Sequence, residues 1–381
     1  MLTLVGTYPP IRCGIATFNR DLREALLREG VPSQVAVVAH PEEVALPFPQ
    51  EVVRVVARED REGYRALARL LRGPVILQHE YGLYGGKWGD YVLDLPEAQG
   101  PKLVVPHTHL QAPPPGLGEA DLRYMQGLLR AMAERAQAFV ALHPEGEGLL
   151  RALGVRIPVA HIPHGVPDLP RPPKEALKRA LGLEGAFLLF TYGLLGPGKG
   201  LEFALKVLAR VLPHNPRVRY LVAGRLHPNL ERHEGRRYLE RVREMAEALG
   251  VGEACLLREG YLSEEELYRL AGAADLFLLP YPNLEQVSSG TLSYALALGK
   301  AVLSTPFRHA RAALAAGRGV LLPLEEEAWA QAVLALAESP ERLREMEERA
   351  YAYARDFTWP RVARAYRRLL EEVADVRPRV A

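Results

Sequence analysis

A glycine-rich stretch of the chain carries a lysine at a spacing that is used elsewhere to hold phosphate. Residues 191–206, TYGLLGPGKGLEFALK, contain Gly193, four further residues, and then Gly198 and Lys199. ATPase phosphate-binding loops open in this way, but they continue with a Ser or Thr whose hydroxyl holds Mg²⁺, and here Gly200 follows. Three interpretations are open: an altered ATP site, a glycine turn with a surface lysine, or a lysine that neutralises phosphate without a metal.

A second stretch offers groups for binding an anion at the start of a helix. Residues 280–306 begin at the end of an apolar run and continue with a loop that carries Glu285. Small residues then open a helical pattern: Ser288, Ser289, Gly290 and Thr291. Free backbone N–H groups and the helix dipole together favour an anion at such a terminus, and a diphosphate would fit there. The alternative is that Ser288 or Ser289 only caps the helix.

The elements that must position these residues alternate between apolar runs and helical segments. The first half contains LTLVG, SQVAVVA, VVRVVA, PVILQHE, KLVVPHT, AFVALH and VAHIPHG, and the second half contains AFLLFTYGLL, VRYLVAGR, ACLLREGYL, LFLLPY, AVLSTP and GVLLPL. This alternation predicts an α/β protein with two doubly wound, Rossmann-like domains. Ligand sites in such sheets lie at the carboxyl ends of strands, so we expect the active site in a cleft between the domains.

A proline-rich connection indicates where the domains divide. The segment HGVPDLPRPPKEALKRALGL separates the two series of strands, and two amphipathic helical patterns, broken around a Trp-Pro pair, end the chain. We predict a first domain over residues 1–167, a linker over 168–185, a second domain over 186–357 and a terminal helix over 358–381.

Composition excludes several classes of protein. With 48% apolar residues, 25% charged residues and a net charge of +2 over 381 residues, the chain is globular and lacks the basic field of a nucleic-acid-binding protein. Cys13 and Cys255 match no metal or redox spacing, which favours a reducing cytoplasm. No apolar run reaches the roughly 18 residues of a membrane span, so membrane contact would be peripheral. Scarce Asn, Met and Cys and frequent Pro are compatible with a heat-adapted source.

The motifs of the second half, taken in order, resemble a known family. YGLLGPGKGLE, then YLVAGR, then a Glu-x-x-Ser-Ser-Gly-Thr segment are similar to the donor-binding domain of retaining family-4 (group 1) glycosyltransferases, which have the two-Rossmann-domain GT-B fold. The resemblance implies that Gly193 and Lys199 form the loop that holds the donor diphosphate. It places Glu285, or Gln286 in a backward count, at the first acidic position of the family's Glu-x₇-Glu motif.

The first half fits the same family. TYPPIRCGIATFNRDLREALLREG resembles its first strand, glycine loop and helix, with Gly14 placed to let backbone approach the donor phosphate. His107 of VVPHTHL corresponds to the family's active-site histidine, whereas His109 would lie on the opposite face if the strand continues. His109 and Glu80 are acceptor-binding candidates, although Glu80 could equally pair with an arginine and a lone histidine is often structural. WPRVARAYRRLLEEV resembles the terminal helix that crosses back onto the first domain.

Two positions depart from the family pattern. Leu194 replaces the arginine beside the family lysine, and Tyr294 replaces the second glutamate, which usually holds the ribose. The phosphate charge would then be met by Lys199, by Arg225 and by the helix terminus. The residues expected to bind the donor are Gly14, Gly193, Arg225, Gln286, Ser288, Ser289, Gly290 and Thr291.

The resemblance implies a retaining transfer of a hexose, mannosyl or glucosyl, from a nucleotide diphosphate sugar to a hydroxyl acceptor. The acceptor could be a saccharide, a lipid-linked sugar or a small molecule. His107, Lys199 and Glu285 are the expected catalytic residues. The chain contains no Asp-x-Asp, so we expect cationic side chains to replace a metal and no cofactor to be needed. A nucleotide-sugar epimerase of the same architecture and a non-catalytic saccharide-binding relative are the alternatives.

Overall fold

The chain divides into two compact units. Unit 1 comprises Met1–Gly165 and Phe357–Ala381, and unit 2 comprises Val166–Asp356. The structure is a computed structural model, and the residues it describes are 1–113, 116–227, 230–231 and 235–375.

Unit 1 is built on a parallel sheet. Among its described residues, seven strands pair in the order β3-β2-β1-β4-β5-β6-β7. Their bounds are β1 Leu2–Gly6, β2 Ser33–Ala39, β3 Val52–Ala57, β4 Val75–His79, β5 Lys102–Pro106, β6 Ala138–Ala141 and β7 Val159–His161. The helices are α1 Gly14–Arg28, α2 Arg61–Leu70, α3 Glu119–Ala133 and α4 Gly146–Ala152, with 3-10 helices at Pro41–Glu43 and Lys87–Glu97. The strand order reverses between β1 and β4, and ligands bind doubly wound sheets at such a point.

Unit 2 repeats this plan with a smaller sheet. Its described strands pair in parallel in the order β10-β9-β8-β11-β12-β13, which reverses between β8 and β11. Their bounds are β8 Phe187–Leu195, β9 Val218–Leu226, β10 Cys255–Glu259, β11 Leu276–Leu279, β12 Ala301–Ser304 and β13 Val320–Leu321. The helices are α5 Lys174–Ala180, α6 Leu201–Val211, α7 Arg237–Ala248, α8 Glu264–Ala273, α9 Gly290–Ala297, α10 Arg308–Ala313, α11 Glu326–Ala337 and α12 Pro340–Ala354, with 3-10 helices at Pro197–Lys199, Gly252–Ala254 and, across the unit boundary, Arg355–Phe357. The predicted pair of Rossmann-like α/β domains is confirmed.

A buried ion network anchors the segment that sequence patterning marks as a linker. Helix α5 lies within it, and Nζ of Lys178 is 2.6 Å from Oδ2 of Asp275, the residue that precedes β11. Nζ of Lys174 lies 3.2 Å from Oδ1 of the same carboxylate and 2.8 Å from Oε1 of Glu347. Asp275 and Lys178 are almost fully buried. The segment is therefore packed into unit 2 by charges that satisfy one another.

The C-terminal helix, α13 (Trp359–Asp375), returns to unit 1 and packs against α1. The ring centroid of Trp359 lies 5.3 Å from that of Phe18 and 5.7 Å from that of His164. A methyl carbon on Gly165 would lie 2.3 Å from the Trp359 ring, so this close approach requires glycine. The predicted return of the terminal helix to the first domain is confirmed. None of the described helices, α13 included, is long and apolar enough to cross a membrane.

Replacing Asp275 with Ala should destabilise unit 2 by about 3–5 kcal/mol, because the ammonium groups of Lys174 and Lys178 would lose a shared carboxylate inside the protein. Urea denaturation followed by circular dichroism measures the change. Glu345→Ala is the matched control: Glu345 makes an exposed ion pair with Arg349 at 3.3 Å, and its loss should cost less than about 1 kcal/mol. Equal losses in both variants would contradict the anchoring role.

Candidate functional site

The glycine-rich loop between β8 and α6 has a geometry that excludes the hydroxyl of an ATPase phosphate loop. Gly200, the residue at the expected Ser or Thr position, has a φ of 64° and precedes α6. A methyl carbon there would lie 2.0 Å from the carbonyl oxygen of Pro280, so neither Ser nor Thr could occupy the position without moving the backbone. The loop therefore offers its lysine rather than a metal-binding hydroxyl.

Lys199 is held by neutral groups. Its Nζ donates to the hydroxyl of Tyr281 at 2.8 Å and to Oγ1 of Thr291 at 3.2 Å. Tyr281 follows β11, and Thr291 lies in the first turn of α9, so two elements aim the ammonium. Gly193 leaves room for it, because a methyl carbon there would lie 3.2 Å from Nζ. The half-buried lysine has no carboxylate partner among the described residues, which leaves its positive charge for an anion.

At the amino terminus of α9, Ser289 is hydrogen-bonded within the protein, whereas Gly290 faces open space. Ser289 is the N-cap: its Oγ accepts from the backbone N–H of Leu292 at 3.2 Å, and its own N–H donates to Nδ1 of His309 at 3.0 Å. The capping role considered for Ser289 is thus present. Gly290 begins the helix, is exposed, and would place a methyl carbon in contact with nothing within 4 Å. Open space therefore lies beside backbone N–H groups that a helix leaves without internal partners.

The two candidates for the first acidic position make separate contacts. Oε2 of Glu285 accepts from Nε of Arg308 at 2.9 Å and from its NH2 nitrogen at 2.6 Å. The amide of Gln286 donates from Nε2 to the carbonyl oxygen of Ser288 at 2.8 Å and so braces the loop. Neither side chain contacts Lys199 in the structure. Sequence analysis missed Arg308, because no local pattern indicates that it pairs with Glu285.

Arg225 lies beside the position of the missing family arginine. Leu194 on β8 and Arg225 on β9 are paired in register, so their side chains share one face of the sheet. The NH2 nitrogen of Arg225 is 3.7 Å from Oε2 of Glu231, which is largely exposed. Immediately before this pair, a methyl carbon on Gly224 would lie 2.0 Å from the carbonyl oxygen of Gly193, so the two strand ends approach closely. A guanidinium thus reaches this edge of the sheet from the neighbouring strand.

In unit 1, His107 follows β5 and is held by a neighbour on β4. Its Nε2 lies 2.8 Å from Oε1 of Gln78, and its ring packs edge-on to Phe18 with centroids 5.0 Å apart. Burial lowers the pKa of His107 to about 3, with smaller contributions from nearby histidines. Burial also lowers the pKa of His164, which packs on the same phenylalanine, to about 4. Both imidazoles are therefore neutral at physiological pH.

The two acceptor-binding candidates differ in their surroundings. His109 is fully buried, with Nδ1 3.3 Å from Nε2 of His143, and the structure gives it an internal partner. Glu80 accepts from the hydroxyl of Thr108 at 2.5 Å and from the backbone N–H of Tyr81 at 2.9 Å. Burial raises the pKa of Glu80, while these two hydrogen bonds oppose the shift. No described arginine pairs with Glu80, so the ion-pair interpretation is not what the structure shows.

Gly14 begins α1 behind the N-cap residue Cys13, whose Sγ accepts from the N–H of Ala16 at 3.4 Å. A methyl carbon on Gly14 would meet nothing within 4 Å, as at Gly290, so packing does not demand glycine at either helix start. Within the described residues, no group of three or more His, Cys, Asp or Glu side chains is arranged to hold a metal ion.

Solved structures share this fold across nearly the whole chain. HepE of Anabaena in complex with UDP gives a TM-score of 0.78 at 16% identity, covering 97% of this chain and 99% of its own. Sucrose-phosphate synthase from Thermosynechococcus elongatus gives 0.76 at 16% identity, with 98% of each chain covered. An E. coli protein described as trehalose-6-phosphate bound with UDP-2-fluoro glucose gives 0.73 at 12% identity, covering 99% of this chain and 100% of its own. At such identities the likeness shows the fold, which is the GT-B arrangement of two Rossmann-like domains.

The second unit also matches the model of a protein family. Residues 173–353 match the model of the family Glycosyl transferases group 1, and this segment contains Lys199, Arg225 and α9. Over this segment the chain is similar to that family, and the protein is a glycosyltransferase. The resemblance of the second half to group 1 glycosyltransferases, inferred from the motifs, is thereby confirmed. A comparison with curated proteins gave no match.

Replacing Lys199 with Met should leave unit 2 as stable as the wild type or up to about 1 kcal/mol more stable, because it removes a half-buried charge that has no carboxylate partner in the described part of the chain. Lys178→Met is the matched control, since it removes the nearer of the two ammonium groups that neutralise the buried Asp275 carboxylate and should cost about 3–5 kcal/mol. Thermal denaturation measures both. Comparable destabilisation by the two substitutions would show that Lys199 is a structural cation.

Proposed function

We propose that the protein is a retaining glycosyltransferase that moves a hexose from a nucleotide diphosphate sugar to a hydroxyl group. In this proposal unit 2 binds the donor and unit 1 binds the acceptor. The observation that carries it is the Lys199 ammonium, which is held by two hydroxyls beside the start of α9 and has no carboxylate partner among the described residues. An anion is the ligand that completes such a site.

Lys199 acts on the leaving group. As the glycosidic bond breaks, negative charge gathers on the departing diphosphate, so the attraction of a fixed ammonium is greater in the transition state than in the bound donor. The N–H groups and dipole of α9 contribute in the same direction. Arg225, in register with Leu194, supplies a second cation in place of the family arginine. These groups support transfer without a metal or other cofactor.

Glu285 is proposed to orient the sugar. Arg308 binds Oε2, while Oε1 of Glu285 makes no hydrogen bond with the described residues and is suited to accept from a sugar hydroxyl. The ion pair holds the carboxylate in one orientation. Gln286 and Ser288 support this loop, which is consistent with donor binding by the same segment.

Ligands in the solved relatives favour a first donor to test. HepE has been captured with UDP-glucose and the E. coli protein with UDP-2-fluoro glucose. We therefore place UDP-glucose first and a mannosyl donor second. Because Tyr294 stands where the family has its ribose-binding glutamate, GDP and ADP sugars belong in the same screen. The acceptor is a saccharide, a lipid-linked sugar or a small molecule, and Glu80 and His107 are proposed to bind it or the transferred sugar.

Replacing Lys199 with Ala should lower kcat by about 10²- to 10³-fold on a donor and acceptor pair that reacts, because one preorganised charge is lost. Lys199→Arg should recover part of the rate. Lys206→Ala is the control, since Lys206 is an exposed residue of α6 that pairs with Glu326 at 3.5 Å. Rates come from nucleotide release in the presence of EDTA. Wild-type turnover in Lys199→Ala, or epimerised donor without an acceptor, would reject this function.

Replacing Gly290 with Ala should weaken binding of the nucleotide sugar about tenfold, or about 1.4 kcal/mol, without lowering stability. The new methyl group would point into the open space where the diphosphate is proposed to approach, while alanine is a better helix former than glycine. Calorimetry and thermal denaturation measure the two effects. The control is Gly148→Ala, a helical position of unit 1 that also faces open space. Unchanged donor affinity would place the ligand elsewhere.

A further inference from the structure

We propose that Gln78 is a positioning residue that holds His107 with its proton on Nε2, so that Nδ1 is left to accept a hydrogen bond from a substrate hydroxyl. The catalytic consequence rests on the proposed function. The position of the proton does not depend on the proposed function, because it can be measured on the protein alone.

The first step is the geometry of the pair. Gln78 is fully buried in β4 and is in register with Val105, two residues before His107, so both side chains lie on one face of the sheet. Oε1 of Gln78 is 2.8 Å from Nε2 of His107. The backbone N–H of His107 donates to the carbonyl oxygen of His79 at 2.8 Å, and Phe18 packs at 86° to the ring. The imidazole is thus restrained by both its backbone and its ring.

The second step is the orientation of the Gln78 amide. Asn19 of α1 donates from Nδ2 to the carbonyl oxygen of Thr7 at 3.1 Å, which leaves Oδ1 as a buried acceptor. Both side chains border Gly6, where a methyl carbon would lie 3.2 Å from Nδ2 of Asn19 and 3.1 Å from Cβ of Gln78. Nε2 of Gln78 and Oδ1 of Asn19 are the remaining buried amide atoms without a partner among the described residues. In the structure it is Oε1 of Gln78, not Nε2, that faces His107.

The third step is the proton count on the ring. The titratable groups that act on His107 are His79 of β4 and His164 after β7, and neither is a carboxylate. Burial lowers the pKa of His107 to about 3, so the ring carries one proton across the range in which enzymes are assayed. A proton that is donated to Oε1 of Gln78 must be on Nε2. Nδ1 then carries a lone pair, makes no hydrogen bond to the described residues, and is not enclosed by them.

This arrangement decides what His107 can do. A neutral imidazole with an open Nδ1 accepts a hydrogen bond from a hydroxyl group and cannot donate one to a phosphate oxygen. His107 is therefore assigned to a hydroxyl of the transferred sugar or of the acceptor, and the charge of the leaving group is left to Lys199. The role of the histidine depends on Gln78, since loss of this acceptor would allow the proton to move to Nδ1.

The direct test is nitrogen NMR of the protein labelled with ¹⁵N-histidine, with the His107 signals assigned by their loss in His107→Asn. In the wild type we expect a protonated Nε2 and an unprotonated Nδ1. Gln78→Met should shift the population toward the other tautomer, whereas Gln126→Met, which removes a glutamine of α3 bonded to the carbonyl oxygen of Leu110 at 3.0 Å, should not. A wild-type ring protonated on Nδ1 overturns the proposal.

The kinetic test separates positioning from a merely structural role. Gln78→Met should lower kcat about 10- to 100-fold, the scale of loss found when the hydrogen-bond partner of a metal-binding histidine is removed. Gln78→Glu keeps the acceptor oxygen but adds a negative charge, which raises the pKa of His107. This variant should keep most of its activity at alkaline pH and lose it as the pH falls through the raised pKa, because protonated Nδ1 cannot accept. The activity of the wild type should show no such fall above pH 5. Identical pH profiles for Gln78→Glu and the wild type would overturn the positioning role, while failure of every donor to react would count only against the proposed function.

Discussion

A half-buried ammonium costs folding free energy when no carboxylate neutralises it, and several residues of unit 2 accommodate Lys199, which has no such partner among the described residues. The left-handed Gly200 starts α6 against the backbone of Pro280, and Gly193 leaves space for the lysine stem. Tyr281 and Thr291 supply oxygen atoms that accept from Nζ without neutralising it. The reversal of strand order between β8 and β11 brings these segments to one edge of the sheet.

At the other end of β11, by contrast, a buried charge is neutralised by its neighbours. Asp275 precedes this strand and is nearly enclosed, yet Lys174, Lys178 and the backbone N–H of Leu188, at 2.7 Å from Oδ2, satisfy its oxygens. Tyr281 follows the same strand and accepts a hydrogen bond from Lys199, which has no carboxylate partner among the described residues. Strand β11 therefore connects two kinds of charge. The Asp275 network at its start is neutralised and stabilises unit 2, whereas the Lys199 ammonium beyond its end is proposed to bind an anion. A buried charge that lacks an oppositely charged partner is the kind of exception expected at a functional site.

Sequence patterning was sufficient where the physical cause is local. Apolar runs predicted the strands, a hydroxyl residue before a helical pattern offered Ser288 or Ser289 as the cap, and glycine spacing predicted the loop around Lys199. It could not show that Arg308 would bind Glu285 or that Gln78 would bind His107, because these pairs are separated by 23 and 29 residues and depend on which strands become neighbours. The register that sets Arg225 beside Leu194 is also a property of the assembled sheet.

The protonation states of the histidines show why residue type alone does not define chemistry. An imidazole has an ordinary pKa near neutrality, so His107 in a sequence motif is compatible with a cation, an acid or a neutral acceptor. Burial beside Phe18 and, to a smaller extent, the nearby His164 and His79 lower its pKa to about 3. Unit 1 thus presents a neutral acceptor after β5, whereas unit 2 presents a cation after β8. A hydroxyl group can donate to the neutral acceptor, and a phosphate is attracted to the cation. In both cases the burial and the neighbours of the side chain determine its charge.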